Sequence, residues 1–284
     1  MRWHESILEY KRGRYLKATL VLTAAAIAAY AWHEPPGHVK PNGGTWLGYT
    51  LGTIAALLIV WLMLLGLRKR RYRSSAGSLQ GWTSAHIYLG TSLIVLASLH
   101  CGFEFGWNVH TLAYMLMLIV IVSGFFGVYA YLRYPELMTA NMGAESLDTI
   151  LPKIAELDRK CVQLALDLPD EVNAIVAKST RSGPRENTKP GRPRWRLPGS
   201  GQRYTARDAV KAISRVGAKF KGEQAVQNGK LLAEMTRKSV LIDQVRRDMR
   251  LRAKLRGWLF VHIPLSFALL AALTAHIVSE FFFW

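Results

Sequence analysis

Five long apolar runs constrain the fold of this chain more than any other feature of its sequence. The runs cover 15–32, 46–67, 82–105, 110–132 and 258–284. A helix that crosses the hydrocarbon core of a bilayer needs about 20 mostly apolar residues. Trp or Tyr stands at many of the run ends, as rings that prefer the membrane interface do. The sequence therefore predicts an all-α membrane protein with five transmembrane helices.

The basic residues predict how these helices are oriented. The chain has a formal net charge of +18, although 50% of its residues are hydrophobic. Lys and Arg are concentrated before the first run, after the second and after the fourth, whereas the loops 33–45 and 101–110 contain only Lys40. Because basic loops stay in the cytoplasm, we expect a multi-pass protein of the cell inner (plasma) membrane, with a cytoplasmic N-terminus and an outer C-terminus.

The apolar runs divide the chain into three segments. Residues 1–134 contain the first four predicted transmembrane helices, and 258–284 form the fifth. The segment 135–257 is too polar to cross a membrane, and its periodicity indicates a mostly helical, basic cytoplasmic insertion. Within it, the Arg-, Pro- and Gly-rich stretch near 179–204 is typical of a flexible linker. Thr205 and Asp208 then predict a capping box at the start of a helix.

Two of the predicted helices each carry a pair of histidines fourteen residues apart, His86 with His100 and His262 with His276. This spacing is almost four helical turns and a rise of ~21 Å, so both histidines of a pair share one helix face. The third and fifth helices run in the same direction, which brings His86 level with His262 and His100 level with His276. Because imidazole suits iron and axial histidines commonly hold haem, the pattern predicts two stacked bis-imidazole sites.

This arrangement resembles the di-haem membrane b-type cytochromes, which include the cytochrome b of respiratory bc complexes and the membrane domains of ferric reductases and NADPH oxidases. The resemblance rests on histidines separated by thirteen residues on each of two helices, matched here by the four histidines above. It implies a haem-binding bundle in which His86 and His262 hold one b haem and His100 and His276 the other. The long cytoplasmic insertion departs from these families, and the sequence contains no flavin or nucleotide fingerprint.

Three further residues are candidates for haem binding under this interpretation. Gly90 lies one turn after His86, and its small size allows a macrocycle or a neighbouring helix to come close. Arg73 and Arg256 lie at cytoplasmic helix ends, where their charges suit haem propionates. Ordinary positive-inside anchoring explains the two arginines equally well.

A quinone site is predicted beside the outer histidines. Glu104 follows His100 and Glu280 follows His276, each one helical turn later and on the same face, and His110 begins the next helix at about this level. A carboxylate or imidazole partly withdrawn from water suits the proton acceptor that quinol oxidation requires. Glu104, Glu280 and His110 are therefore the predicted acceptors, with solvated interfacial residues as the alternative.

The combined features favour a membrane cytochrome b subunit of the respiratory chain, which is the electron-transfer subunit of a quinone-linked oxidoreductase complex. Its expected ligands are two b haems and quinone. Its expected partners are membrane lipid, the quinone pool and redox subunits that dock on the cytoplasmic insertion or the outer face. No nucleic-acid-binding motif is present, and lipid headgroups explain the basic charge. Two alternatives stay open: a standalone transmembrane haem reductase of an external acceptor such as ferric iron, and a haem-free scaffold or transporter.

Overall fold

The computed structural model describes residues 6–33, 42–70, 77–143, 145–182 and 205–282. This part of the chain is all-helical, with 88% of residues in helices and no strand. Five of its helices are long and apolar enough to cross a membrane. The sequence-based prediction of an all-α, multi-pass membrane protein is confirmed at this level.

The helices follow one another with short connections in the described ranges. A short 3₁₀ helix, Ile7–Glu9, precedes α1. The α-helices in chain order are α1 (Tyr10–Trp32), α2 (Trp46–Arg70), α3 (Leu79–His100), α4 (Val109–Met142), α5 (Leu147–Ala165), α6 (Asp170–Ser182), α7 (Ala206–Gly217) and α8 (Glu223–Phe282). The first four residues of the predicted linker, 179–182, belong to α6, and the rest of that linker lies outside the described residues.

The chain forms two compact units. The first unit contains Met1–Tyr131 and Leu255–Trp284, and the second unit contains Leu132–Lys254. Both α4 and α8 contribute residues to each unit.

The core of the first unit is built from all five candidate membrane helices, with Ala26 as the contribution of α1. Leu51 of α2, Leu96 of α3, Met117 of α4 and Leu269 of α8 are all buried in one apolar cluster. Lipid tails are as apolar as leucine, so association of such helices depends on close packing rather than on the hydrophobic effect. Glycine permits that close packing, as at Gly127, where an added Cβ would overlap the Trp258 ring.

The second unit packs amphipathic helices around an apolar core. Cys161 of α5, Val172 of α6, Ile213 of α7 and Met235 of α8 are buried against one another. The predicted capping box at the start of α7 is confirmed, since Thr205 Oγ1 accepts from the backbone N–H of Asp208 and the Asp208 carboxylate accepts from the N–H of Thr205.

A buried lysine is the most unusual polar group of the second unit. The Lys238 side chain is fully buried and forms an ion pair with Asp158. Its Nζ also donates to Ser179 Oγ at 3.1 Å, and Thr180 Oγ1 donates to Asp158 Oδ1 at 3.2 Å. Buried charges persist only when they are paired and hydrogen-bonded in this way.

The end of α3 differs from the prediction. The third apolar run extends to residue 105, but α3 ends at His100. The N–H of Phe103 bonds to the carbonyl of Ser98 and the N–H of Gly102 to that of Leu99, both at 3.2 Å, which is a Schellman motif. Gly102 has φ +58°, a left-handed conformation that stops the helix and that glycine adopts readily. The placement of Glu104 on the helix face of His100 is therefore wrong.

Candidate functional site

His86 is held by the backbone of the neighbouring helix. It lies in the second turn of α3, and its Nδ1 is 3.1 Å from the carbonyl oxygen of Leu62 on α2. A carbonyl oxygen can only accept a hydrogen bond, so Nδ1 carries the proton. In the neutral ring this leaves the lone pair on Nε2.

His100 is fixed more tightly, against the N-terminal half of α2. Its Nδ1 lies 2.8 Å from the carbonyl oxygen of Gly48. A Cβ added to Gly52, one turn further along α2, would lie 2.7 Å from Cε1 of the His100 ring. Thr45 caps α2 by accepting from the N–H of Gly48 at 3.1 Å, which fixes the turn that receives the imidazole. The carbonyl of Gly48 and the space beside Gly52 thus form a cradle for the imidazole, and a larger residue at position 52 would fill it.

His262 is anchored to α4 rather than α2. Its Nδ1 lies 2.6 Å from Ser123 Oγ. The Ser123 hydroxyl donates its own proton to the carbonyl of Val120 at 2.8 Å, so Oγ accepts from the ring. Trp258 Nε1 donates to the Ser123 carbonyl at 2.7 Å, and its ring centroid lies 5.2 Å from that of His262.

Three of the four predicted ligands therefore share one hydrogen-bonding state. His86, His100 and His262 each donate through Nδ1 to an oxygen on an adjacent helix, which leaves Nε2 unprotonated. Metal-binding histidines almost always have their other ring nitrogen bound to an acceptor in this way, because the bond fixes the tautomer and raises ligand basicity. The fourth histidine, His276, has a buried Nδ1 without a partner among the described residues.

The structure brings the outer pair of histidines together, with the ring centroids of His100 and His276 6.1 Å apart. In the inner pair, His86 is bound to α2 and His262 to α4. Imidazole nitrogens bind transition metals at about 2 Å, which puts two rings on opposite sides of one metal roughly 6 Å apart. The donor set, the Gly48–Gly52 cradle and the ring separation of the outer pair fit the haem that the resemblance implies.

The outer histidines belong to a larger polar cluster, which we call the outer cluster and define as His110, His276 and Glu280. The Nε2 of His110 lies 2.9 Å from Glu280 Oε1, and the ring centroids of His110 and His276 are 4.1 Å apart. Ligand atoms of all three lie within 4.8 Å of one another. Two of the predicted proton acceptors therefore meet beside an outer histidine.

Three of the other predicted site residues do not join these groups. Glu104 is exposed in the loop after α3. Gly90 faces α2, where an added Cβ would lie 3.8 Å from a Leu62 methyl, so its position reflects helix packing. Arg256 is exposed on α8. Arg73 lies outside the described residues.

Several residues that matter to the site were missed by sequence reasoning. Gly48, Gly52 and Ser123 hold the histidines, and Lys69 interacts electrostatically with both His86 and His262. One signal was available, because two glycines four residues apart in an apolar helix indicate a close approach of another group. Ser123 carries no such signal, since a serine in a membrane helix usually bonds to its own backbone.

No protein-family model matches this chain, and no curated protein or solved structure is significantly similar to it.

Proposed function

We propose that this protein is a membrane cytochrome b subunit that carries electrons across the bilayer, between the quinone pool and a partner redox protein. The observation that supports this most strongly is the shared state of His86, His100 and His262, each with Nδ1 bound to an oxygen of an adjacent helix and Nε2 free. Metal-binding histidines almost always bind an acceptor through their other ring nitrogen, as these three do.

In this proposal each haem is held by one histidine from α3 and one from α8. His86 and His262 form the inner site and His100 and His276 the outer site, while Arg73, Arg256 and Lys69 contribute positive charge on the inner side. Haem supplies reversible one-electron exchange when bound. The chain's own residues set the ligand tautomers through Leu62, Gly48 and Ser123. Leu93 and Leu96 of α3 are buried between the two levels.

The outer cluster suits proton transfer from a quinol. Glu280 and His110 are partly exposed, with 22% and 38% of their side-chain surface accessible, and are in contact with each other. Glu280 lies one turn beyond His276 on α8. A general base must lie within hydrogen-bond reach of the proton it removes, and this pair is placed next to the outer ligand. Glu104, which the end of α3 removes from this face, is not part of the proposal.

Quinol-dependent haem reduction tests this function. Purified protein mixed with a short-chain quinol is expected to develop the reduced b-haem spectrum. Glu280→Gln is expected to slow that reduction while leaving the oxidised spectrum intact. Glu104→Gln is the matched control and is expected to react at the wild-type rate. Equal rates in all three proteins remove the assignment of Glu280. Reduction of a ferric chelate by the protein alone, without another subunit, would instead favour a standalone reductase.

The orientation is proposed from the basic loops, which put the N-terminus and the second unit on the cytoplasmic side of the cell inner (plasma) membrane. Cys101, in the loop after α3, and Cys161, in the second unit, lie on opposite sides in this topology. In intact cells a membrane-impermeant maleimide should modify Cys101 in a Cys161→Ser background. A Cys introduced at exposed position Lys211 should be modified only after lysis, and the reverse pattern overturns the orientation.

A further inference from the structure

The outer cluster contains more ligands than a haem can use. Under the proposed function an outer haem would be held by His100 and His276, yet His110 and Glu280 also converge on His276. Three potential ligand atoms, two imidazole nitrogens and one carboxylate oxygen, lie within 4.8 Å of one another. This is a metal-ligand set in its own right.

Regular helices hold all three side chains. His276 and Glu280 are four residues apart on α8, which places them one above the other on a single face. His110 is the second residue of α4, whose start is capped by Asn108 Oδ1 accepting from the N–H of Thr111 at 3.0 Å. Sites on helices are more precise than sites on loops, so the convergence of the cluster follows from the packing of α4 and α8 within the first unit.

The chemistry of the cluster suits a divalent first-row transition metal. Two imidazoles with one carboxylate bind Zn²⁺ in hydrolytic enzymes and Fe²⁺ in oxygenases, with remaining positions open to water. A second observation points the same way, because Nδ1 of His276 is buried and has no hydrogen-bond partner among the described residues. The partial exposure of His110 and Glu280 leaves a route by which an ion can reach them.

We infer that His110, His276 and Glu280 form a binding site for a divalent first-row transition metal ion, separate in ligand set from either haem. The site goes beyond the proposed function and shares only His276 with the outer haem. A neutral imidazole that binds haem iron through one nitrogen carries its proton on the other, so the metal ion and the outer haem compete for His276. Where the outer haem is absent, the cluster is available to the ion.

The test uses the full-length His100→Ala protein, in which the outer haem is lost while His276 stays free and the inner haem reports correct folding. Co²⁺ is the probe, because its visible absorption reveals coordination number, and Zn²⁺ is then added to displace it. One Co²⁺ per chain, with a tetrahedral or five-coordinate spectrum, is expected. Adding His110→Ala or Glu280→Gln should weaken binding by more than the ~10–100-fold typical of losing an outer-shell partner, and Glu104→Gln should leave it unchanged.

Two results would overturn the inference: no Co²⁺ binding by the folded His100→Ala protein, or binding that His110→Ala and Glu280→Gln both leave unchanged. Haem content is measured on the same samples, so that absence of haem can be distinguished from absence of Co²⁺ binding. If the wild-type protein holds no haem, the Co²⁺ titration is read directly on the wild type with the same three variants. In two-haem wild type, Co²⁺ should bind at least tenfold more weakly, and equal affinity would contradict the sharing of His276.

Discussion

The Nε2 of His110 lies 2.9 Å from Oε1 of Glu280, which joins the first turn of α4 to the last turns of α8. The contact lies beside His276, whose ring centroid is 4.1 Å from that of His110. In our proposals, proton acceptance from a quinol and metal binding both involve this pair of residues. The two roles are separable. Metal binding requires a free His276 imidazole, whereas proton acceptance requires His276 to be held by the outer haem.

Gly52 should control occupancy of the outer haem site alone. Gly52→Ala brings a methyl group to within 2.7 Å of the His100 ring, and a contact that short forces the imidazole to move. We expect the haem content to fall to that of the inner site, as measured by pyridine haemochrome quantitation. Gly66→Ala on the same helix is the control, since nothing lies within 4 Å of an added Cβ there. Equal haem loss in both variants would show that α2 tolerates no substitution and that the cradle has no special role.

Ser123 should control the inner site. Ser123→Ala removes the acceptor for Nδ1 of His262, which frees the ring to rotate or to change tautomer. Removing such a partner typically costs about 10–100-fold in metal affinity, so haem should dissociate correspondingly faster from the inner site, as followed by transfer to apomyoglobin. Ser92→Ala is the control, because Ser92 is a serine of the neighbouring helix α3 whose hydroxyl donates to the carbonyl of Leu89 at 2.7 Å. An unchanged haem-loss rate in Ser123→Ala would contradict the role of this hydrogen bond.

Lys238 should dominate the stability of the second unit. Lys238→Met leaves Asp158 partly buried beside an apolar side chain, and breaking a buried ion pair costs roughly 3–5 kcal/mol. The free energy of unfolding, measured in detergent by urea titration, should fall by that amount, and Lys238→Met with Asp158→Leu should recover much of it. Lys160→Met is the control, since the Lys160–Glu156 pair is exposed and should be dispensable. A stability equal to wild type in Lys238→Met is the result that contradicts this assignment.

Asp208 should make the start of α7 sensitive to acid. The hydroxyl of Thr205, which has the larger effect, and the N–H of Thr205 both donate to the Asp208 carboxylate. These bonds lower the pKa of Asp208 from the ordinary value of 3.8. A depressed folded-state pKa stabilises the helix above pH 3.8, and that contribution is lost as the pH falls through the lower, folded-state value.

Hydrogen exchange of α7 measures this effect. Wild-type α7 is expected to lose protection as the pH falls below about 4, whereas Asp208→Asn should start with less protection and change less. Exposed Asp167→Asn is the control and should follow the wild type. Identical pH profiles for Asp208→Asn and wild type would show that ionisation of the Asp208 carboxyl does not affect the stability of α7.

Hydropathy and periodicity were sufficient to predict the candidate membrane helices and the two histidine pairs, because both depend on spacing within one helix. The end of α3 was missed, since the apolar residues continue to Phe105 while Gly102 and Phe103 adopt positive φ. A local backbone conformation overrode the hydrophobic pattern. His110 and Glu280 were expected at about the same level, and they are in contact in the structure.

The partners of the histidines could not be predicted in the same way. Contacts of His100 with Gly48 and of His262 with Ser123 depend on the rotation and register of one helix against another. No single-helix period contains that information. The small residues of α2 limit where such a contact can occur, but only the packed structure identifies which histidine occupies the cradle.

Haem content of the purified protein tests the central claim most directly. Pyridine haemochrome quantitation, on protein made with ample haem supply, should give two b haems per chain for the wild type and one for each of His100→Ala and His262→Ala. The helical circular dichroism of all three proteins should be the same. A folded wild-type protein without haem, or unchanged haem content in both variants, would contradict the assignment of the four histidines as axial ligands.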